Sequence, residues 1–377
     1  MMKTYEELLL PERARQSCID LQQDHVRGSL ALPAWLDTDA AKVFAASLDL
    51  PTVRAIGNSL ATSNNQTRMA GHFDSIQQEA GLILLMHALD FGGGWRQELH
   101  AHHGKGAFLT VKPGVEALFE QNPHLQATYL SSLQETDVGL LFGLSNSEPL
   151  KPLVVLLTMV CNEVGRGVAA AGHDTVGDYL MAAVQRANET ATPAQVLVQT
   201  LVESFPRTFD DHNTISMIVA GAIMGRPQHL ECQHQPTQQH RDVYFYKKAQ
   251  LVVGELCHRF QDEDARFQYP DLNHLTAFID NVICAVLRKH GVVATTAELA
   301  HQIETHGNVP SGSLEEVSLR AAAMAGVEWV CSSVSMTPTT AESLAPCTLG
   351  NYLWGHLGKR PDHRVYERHS TKDTVFY

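Results

Sequence analysis

Positive charge is in short supply. Twenty-eight Lys and Arg face 41 Asp and Glu across 377 residues, leaving a formal charge of −13. That balance repels a polyphosphate backbone and argues against a long nucleic-acid footprint, while a small anion, which needs only a few cations, stays compatible. Cysteine pairs are also lacking. The seven cysteines (Cys18, Cys161, Cys232, Cys257, Cys284, Cys331 and Cys347) are odd in number, widely spaced and form no C-x-x-C pair. This argues against a disulfide framework or a zinc site and implies reduced thiols. Clean apolar runs such as Leu153 to Leu157 fall well short of the ~20 residues that span a bilayer, and the N-terminus has no signal-peptide pattern. A soluble, cytoplasmic protein is expected, with 44% hydrophobic residues to build its core.

Alternating strand patterns are scarce and no internal repeat is visible. Helical spacing dominates. Ala194, Leu197, Val198, Leu201, Val202 and Phe205 recur behind Thr192 as N-cap and Pro193 in the first turn. A second stripe runs Leu272, Leu275, Phe278, Ile279, Val282, Ile283, Val286 and Leu287, closed by Gly291. Thr295 with Glu298 and Ser313 with Glu316 have capping-box spacing. The expected fold is all-α, as one domain over 1–377, with a short hairpin at Arg96 to Thr110 where Gly104 and Gly106 interrupt any period. Gly225 to Arg241, rich in Gln and His, reads as an inserted polar loop too short to link independent domains. Gly92-Gly93-Gly94 lacks phosphate-loop spacing. Metal-ligand sets recruit a carboxylate or thiolate at defined spacing on a rigid element, whereas the run His100-Ala101-His102-His103 reads as part of a glycine-rich loop, so no metal and no cofactor are expected.

The stretch Val243-Tyr244-Phe245-Tyr246-Lys247-Lys248-Ala249-Gln250 opens a helix and resembles a signature of the queuosine salvage proteins. Leu201-Val202-Glu203-Ser204-Phe205-Pro206 upstream and Leu275-Thr276-Ala277-Phe278-Ile279-Asp280 downstream are similar to that family in order and approximate spacing. So are Glu316-Val317-Ser318-Leu319-Arg320 with Val327-Glu328-Trp329, Tyr352-Leu353-Trp354, and the aromatic end Val375-Phe376-Tyr377. In the first half, Ala88-Leu89-Asp90-Phe91 through Trp95, then Gly104-Lys105-Gly106, extends the resemblance to about residues 80–377; residues 1–80 match only in helical character. The chain departs from the family pattern in three places. After Asp280 the family's Tyr-Arg-x-Pro-Gln is replaced by Asn281-Val282-Ile283-Cys284-Ala285, the acid before Leu-Trp by Gly350-Asn351, and expected aromatics by Gly92-Gly93-Gly94.

The resemblance implies a helical fold similar to DNA glycosylases and hydrolysis of queuosine 5′-monophosphate to queuine and ribose 5-phosphate. Breaking a C1′–N bond builds positive charge on the sugar, so a carboxylate near C1′ is required; Asp280 is the candidate. A 7-deazapurine has no N7 to protonate, so the leaving base must be polarised at its carbonyl or pyrimidine edge, by a donor that the sequence does not name. Lys247, on a first helical turn, is the candidate phosphate or active-site cation, and Lys248 reads as an ordinary exposed lysine. Phe245, Tyr246, Phe91 and Trp95 are candidate stacking faces, although aromatics more often pack cores. Arg320 and Glu328 are candidates to line the site or to form a structural ion pair, and Glu203 shares that ambiguity. The expected partner is a small nucleotide, with no nucleic acid and no membrane. Two other classes compete: a catalytically silent nucleotide- or protein-binding relative, and a DNA-lesion glycosylase, which the charge disfavours.

Overall fold

Helices fill most of this chain because its apolar residues recur at helical spacing. The computed structural model describes residues 7–28, 30–63, 73–219, 237–335 and 343–377. Its principal helices are α1 (Leu10–Val26), α2 (Ile76–Ala88), α3 (Arg96–His103), α4 (Ala107–Gln121), α5 (Lys151–Ala170), α6 (Pro193–Ser204), α7 (Lys247–Phe260), α8 (Asn281–Lys289), α9 (Leu314–Ser335) and α10 (Pro346–Gly355). The strands are β1 (Ala34–Leu36), β2 (His212–Val219), β3 (Thr237–Tyr244) and β4 (Val293–Thr295). The all-α class therefore holds, with two antiparallel strand pairs added.

Two helices are buried on every side, as expected of helices with little polar face. In α2 every residue from Glu79 to Ala88 is buried, and in α9 every residue from Glu316 to Val327. Each centres one apolar cluster. The first gathers α2, α5, α6 and α7; the second gathers α8, α9 and the β1–β4 pair. Each fully buried Leu in them contributes roughly 1.5–3 kcal/mol. The weakly matched N-terminal part is tied in. β1 pairs with β4 (Ala34↔Thr295, Leu36↔Val293), and α1 sets Arg15 against Glu328 of α9 at 3.0 Å. Residues Glu148–Ala170 are long and apolar enough, by length and composition, to cross a membrane; half of that stretch is buried, with Leu153, Leu157, Val160 and Val164 in the first cluster.

Several local expectations are corrected. Arg96 to Thr110 forms no hairpin: Gly104 (φ 68°) ends α3 and Gly106 precedes α4, so the two glycines separate helices. The stripe from Leu272 is not one helix. Residues 275–280 run without helix and α8 begins only at Asn281, because Asp280 is extended (φ −133°, ψ −175°) and caps it. The cap before the helix Ala297–Glu304 is Thr296, one residue beyond Thr295. Ser313 Oγ does accept from the Glu316 N–H (3.2 Å), but the Glu316 carboxylate takes the Gly312 N–H instead of closing the box. α6 starts at Pro193 as its spacing predicts, though Thr192 makes no side-chain cap. Of the polar loop, residues 225–236 lie outside the described residues, and 237–241 belong to β3, paired with β2 from His212↔Tyr244 to Val219↔Thr237.

Candidate active site

The signature sequence turns a strand into a helix. β3 ends at Tyr244, and Tyr246 adopts φ +54°, a left-handed conformation that costs a non-glycine residue about 1–2 kcal/mol, before α7 starts at Lys247. What holds this turn is Gln250. Its amide donates to the Phe245 carbonyl (3.0 Å) and to the Thr276 hydroxyl (2.9 Å), and its oxygen accepts from the Thr276 N–H (2.8 Å). The signature is thereby fastened to the segment that delivers Asp280.

Lys248 corrects the expectation of an exposed lysine. It is 2% exposed, and its Nζ donates to the Ala88 carbonyl at the end of α2 (2.6 Å), with the Phe91 and Phe209 rings 5.1 and 5.7 Å away. Burial, reinforced by the charge of Lys247, brings its pKa down to about 7.

On one face of α7, Lys247, Leu251, Gly254, Glu255 and His258 line a cavity of about 730 Å³, open solvent at its mouth included. The spacing 0, 4, 7, 8, 11 is a single helical stripe, and Lys247 to Glu255 spans about 12 Å of helix. His87 and Asp90 enter from the end of α2, Phe108 from the start of α4, and Trp354 with Gly350 and Asn351 from α10. Phe278, Asp280 and Ile283 close the remaining side.

Asp280 is 6% exposed. Its Oδ1 accepts the Val282 and Ile283 N–H groups, both at 2.9 Å, so the N-terminus of α8 fixes the carboxylate's orientation. Burial pushes its pKa up, while Lys247, the Ile283 N–H and Arg368 pull the other way. Lys247 Nζ meets Asp90 Oδ2 at 3.3 Å. Burial alone would raise the Asp90 carboxyl, but Lys247, His87 and Lys248 outweigh it and hold it below the usual carboxylate range. One lysine thus favours the anionic form of two carboxylates in a single cavity. His87 is driven down to about 4 by burial, despite Asp90, and is neutral near pH 7. Glu255 goes the opposite way: burial first, then the Glu79 charge, lift it to about 7, so at neutral pH it supplies a protonated carboxyl in a substantial fraction of molecules. Burial also lowers the pKa of His258.

The apolar walls come from residues that sequence reasoning did not single out as ligands. Phe108 and Trp354 approach edge to face with centroids 6.5 Å apart. Gly254 leaves room for Phe278, whose Cζ would lie 3.3 Å from an added Cβ. Gly350 packs against residue 277; a Cβ there would come within 3.0 Å of the Ala277 Cβ. Neighbouring Asn351 donates to the Gly57 carbonyl at 3.2 Å. His87, Glu255 and His258 went unnoticed because they carry no signal beyond their position on a helix face; Asp90 and Trp354 lay inside quoted motifs.

Of the residues singled out from the sequence, Asp280 and Lys247 meet on the cavity wall. The others lie elsewhere. Phe91, Trp95, Phe245 and Tyr246 are at most 2% exposed and packed in the apolar clusters. Arg320 is 1% exposed, bonded to Asp211 (Nη1–Oδ1 3.0 Å) and Glu316 (3.2 Å) between the Phe245 and Tyr377 rings, 3.8 and 4.6 Å from its Cζ. The Tyr377 hydroxyl donates to Glu316 at 2.9 Å and the Gly92 N–H to the Tyr377 carbonyl at 3.3 Å, so the aromatic end of the chain locks this network. Glu328 pairs with Arg15, and Glu203 accepts from Gln199 at 2.8 Å on an exposed surface. His100, His102 and His103 sit in the last turn of α3, where His102 Nε2 lies 3.1 Å from the Gly143 carbonyl. No group of three or more His, Cys, Asp and Glu suited to a metal occurs among the described residues.

Residues 228–377 match the family model described as queuosine salvage protein. A curated relative from Sphaerobacter thermophilus, named queuosine 5′-phosphate N-glycosylase/hydrolase, is 26% identical over 355 residues, 92% of this chain and 94% of its own. A relative of the same name from Dictyostelium discoideum is 32% identical over 88 residues, 23% of this chain and 27% of its own.

Proposed function

We propose that this chain, a member of the queuosine salvage protein family, hydrolyses the N-glycosidic bond of queuosine 5′-monophosphate. Water adds its hydroxyl to C1′, the C1′–N bond breaks, and the base leaves as queuine after taking up a proton, with ribose 5-phosphate as the second product. The observation that carries this reading is the capped Asp280 carboxylate, facing the cavity beside Lys247 and Asp90. An anion held rigidly by two backbone N–H groups needs no reorganisation when positive charge develops at C1′, and that is where electrostatic catalysis is strongest. Its orientation also suits it to accept a proton from the attacking water.

The length of the α7 stripe suits a nucleoside. The sugar lies at the Lys247–Asp280 end and the base at the Glu255–His258 end, between the Phe108, Phe278 and Trp354 faces. The protonated fraction of Glu255 is a hydrogen-bond donor for polarising the leaving base, the group that the sequence left unnamed. The substrate in this reading is a free small nucleotide rather than a polynucleotide, in keeping with the −13 charge. A cytoplasmic setting accords with six described cysteines that are all unpaired and buried.

The test is direct. Purified protein incubated with queuosine 5′-monophosphate is expected to release queuine, resolved by chromatography and mass. Tight nucleotide binding without release would instead favour the silent-relative reading.

A further inference from the structure

Two consecutive lysines of α7 grip the end of one helix. Successive residues of a helix point about 100° apart, so Lys247 reaches into the cavity while Lys248 turns beneath α2. Lys247 Nζ meets Asp90 Oδ2 at 3.3 Å. Lys248 Nζ donates to the carbonyl of Ala88, the last residue of α2, at 2.6 Å, and lies 5.1 Å from the Phe91 ring. The amine therefore holds the chain on both sides of Asp90, at the carbonyl two residues before it and at the ring one residue after it. A cation suits that carbonyl, because the last carbonyls of a helix have no partner within it and carry its negative end.

Lys248 is not one half of a buried ion pair. Asp90, Asp211 and Glu163 act on it only through charge, and among the described residues its one hydrogen bond is to Ala88. Burial works against the ammonium form, yet the neutral amine keeps N–H donors, so the bond to Ala88 does not depend on the charge. At their other ends the same two helices are joined again. Arg259 of α7 donates from Nε to Glu79 Oε1 (2.6 Å) and from Nη2 to Glu79 Oε2 (2.9 Å). The helices thus run antiparallel, fixed at one end by Glu79 and Arg259 and at the cavity end by the two lysines.

We propose that Lys248 is a positioning residue for the glycosidic cleavage and acts through Asp90. In the proposed reaction positive charge develops at C1′, and the cation of Lys247, on the same cavity wall as Asp280, opposes it. Asp90 offsets that cation only while its carboxylate stays against Lys247 Nζ, and Lys248 keeps it there by fixing the turn that carries it. Lys248 itself is 2% exposed and is not among the residues lining the cavity, so it touches no substrate. This rests on the reading of the chain as a nucleotide N-glycosidase.

A double-mutant cycle tests the assignment. Lys248→Met keeps the bulk of the side chain and removes its donor and charge; Asp90→Asn removes the carboxylate charge. Lys248→Met is expected to lower kcat for queuosine 5′-monophosphate by about tenfold with KM changed less than about twofold, and to lower kcat by less than about twofold in the Asp90→Asn background. A role in packing alone lowers turnover by the same factor in both backgrounds, so equal losses, or no loss, overturn the proposal. If the Met variant does not fold, Lys248→Gln, whose amide falls one bond short of Nζ, takes its place in the cycle and is read the same way. Hydrogen exchange supplies a readout that needs no turnover. The Asp90 and Phe91 N–H groups, which donate to the His87 and Leu89 carbonyls, should exchange about tenfold or more faster in the Lys248 variant, while those of Leu251 to Leu256 in α7 keep their protection. If the wild type cleaves no nucleotide, the glycosidase reading fails, and exchange decides Lys248 separately: faster exchange at Asp90 and Phe91 sustains the brace on Asp90, and unchanged exchange removes it.

Discussion

Replacing Asp280 tests charge and structure separately, because this residue both faces the cavity and caps α8. Asp280→Asn retains an oxygen for the Val282 and Ile283 N–H groups, each now 2.9 Å from Oδ1. Asn and Asp are nearly equal as caps, so stability should change by only a few tenths of a kcal/mol. Asp280→Ala removes the cap and should cost about 0.5–2 kcal/mol, a drop in melting temperature of about 1–2 °C in a chain of this size. Turnover behaves differently. In the proposed reaction both variants lose the anion that faces the developing positive charge, and a hundredfold fall in kcat corresponds to about 2.7 kcal/mol of transition-state stabilisation. The assay is queuine release under saturating queuosine 5′-monophosphate, with a binding isotherm and a thermal melt for each protein. The expected pattern is two inactive variants that still bind nucleotide, of which only the Ala form melts earlier. Near-normal turnover in the Asn variant would refute the role of the charge, and an Asn variant that melts as early as the Ala form would refute the capping argument.

In the proposed reaction Asp280 acts ionised, and because burial raises its pKa, kcat/KM should fall on the acid side at a pH above an aspartate's ordinary value; Lys247→Met removes the charge opposing that rise and should move this limb upward. A limb that stays in place in the pH–rate profile of the variant would show that Lys247 does not tune Asp280. Glu255 binds its proton more tightly when folded, so its contribution to stability is complete below its ordinary value of 4.5 and is lost as pH rises through about 7. Glu255→Gln should flatten the stability–pH curve in that window, and urea titrations at pH 4.5 and pH 8 with the same dependence in both proteins would contradict this. Arg320→Met leaves Asp211 and Glu316 buried without their cation and should cost about 3–5 kcal/mol, read as a lower denaturation midpoint; a loss under about 1 kcal/mol would mean the network is not held by charge.

The sequence by itself determined the helical class, because apolar spacing such as that of Ala194 to Val202 states a period regardless of what the helix later packs against. It also carried the resemblance to the queuosine salvage proteins and singled out the two residues, Asp280 and Lys247, that meet in the cavity, since short motifs in fixed order survive without knowledge of their contacts. Other features were decided only by tertiary structure. The break at Asp280 is one: Leu275, Phe278 and Ile279 are apolar enough for a helix, and it is the Gln250–Thr276 hydrogen bonds together with the Asp280 cap that hold residues 275–280 out of one. Exposure is another. Lys247 and Lys248 are adjacent and chemically identical, yet one reaches Asp90 in the cavity and the other is drawn beneath Ala88 at the end of α2. The aromatic faces Phe108 and Trp354 and the shifted carboxyl of Glu255 come together from helices far apart in the chain. The physical reason is common to all of them. Periodicity and capping are interactions between near neighbours that a linear string records, whereas burial, pKa and the meeting of charges depend on which distant surface packs against which.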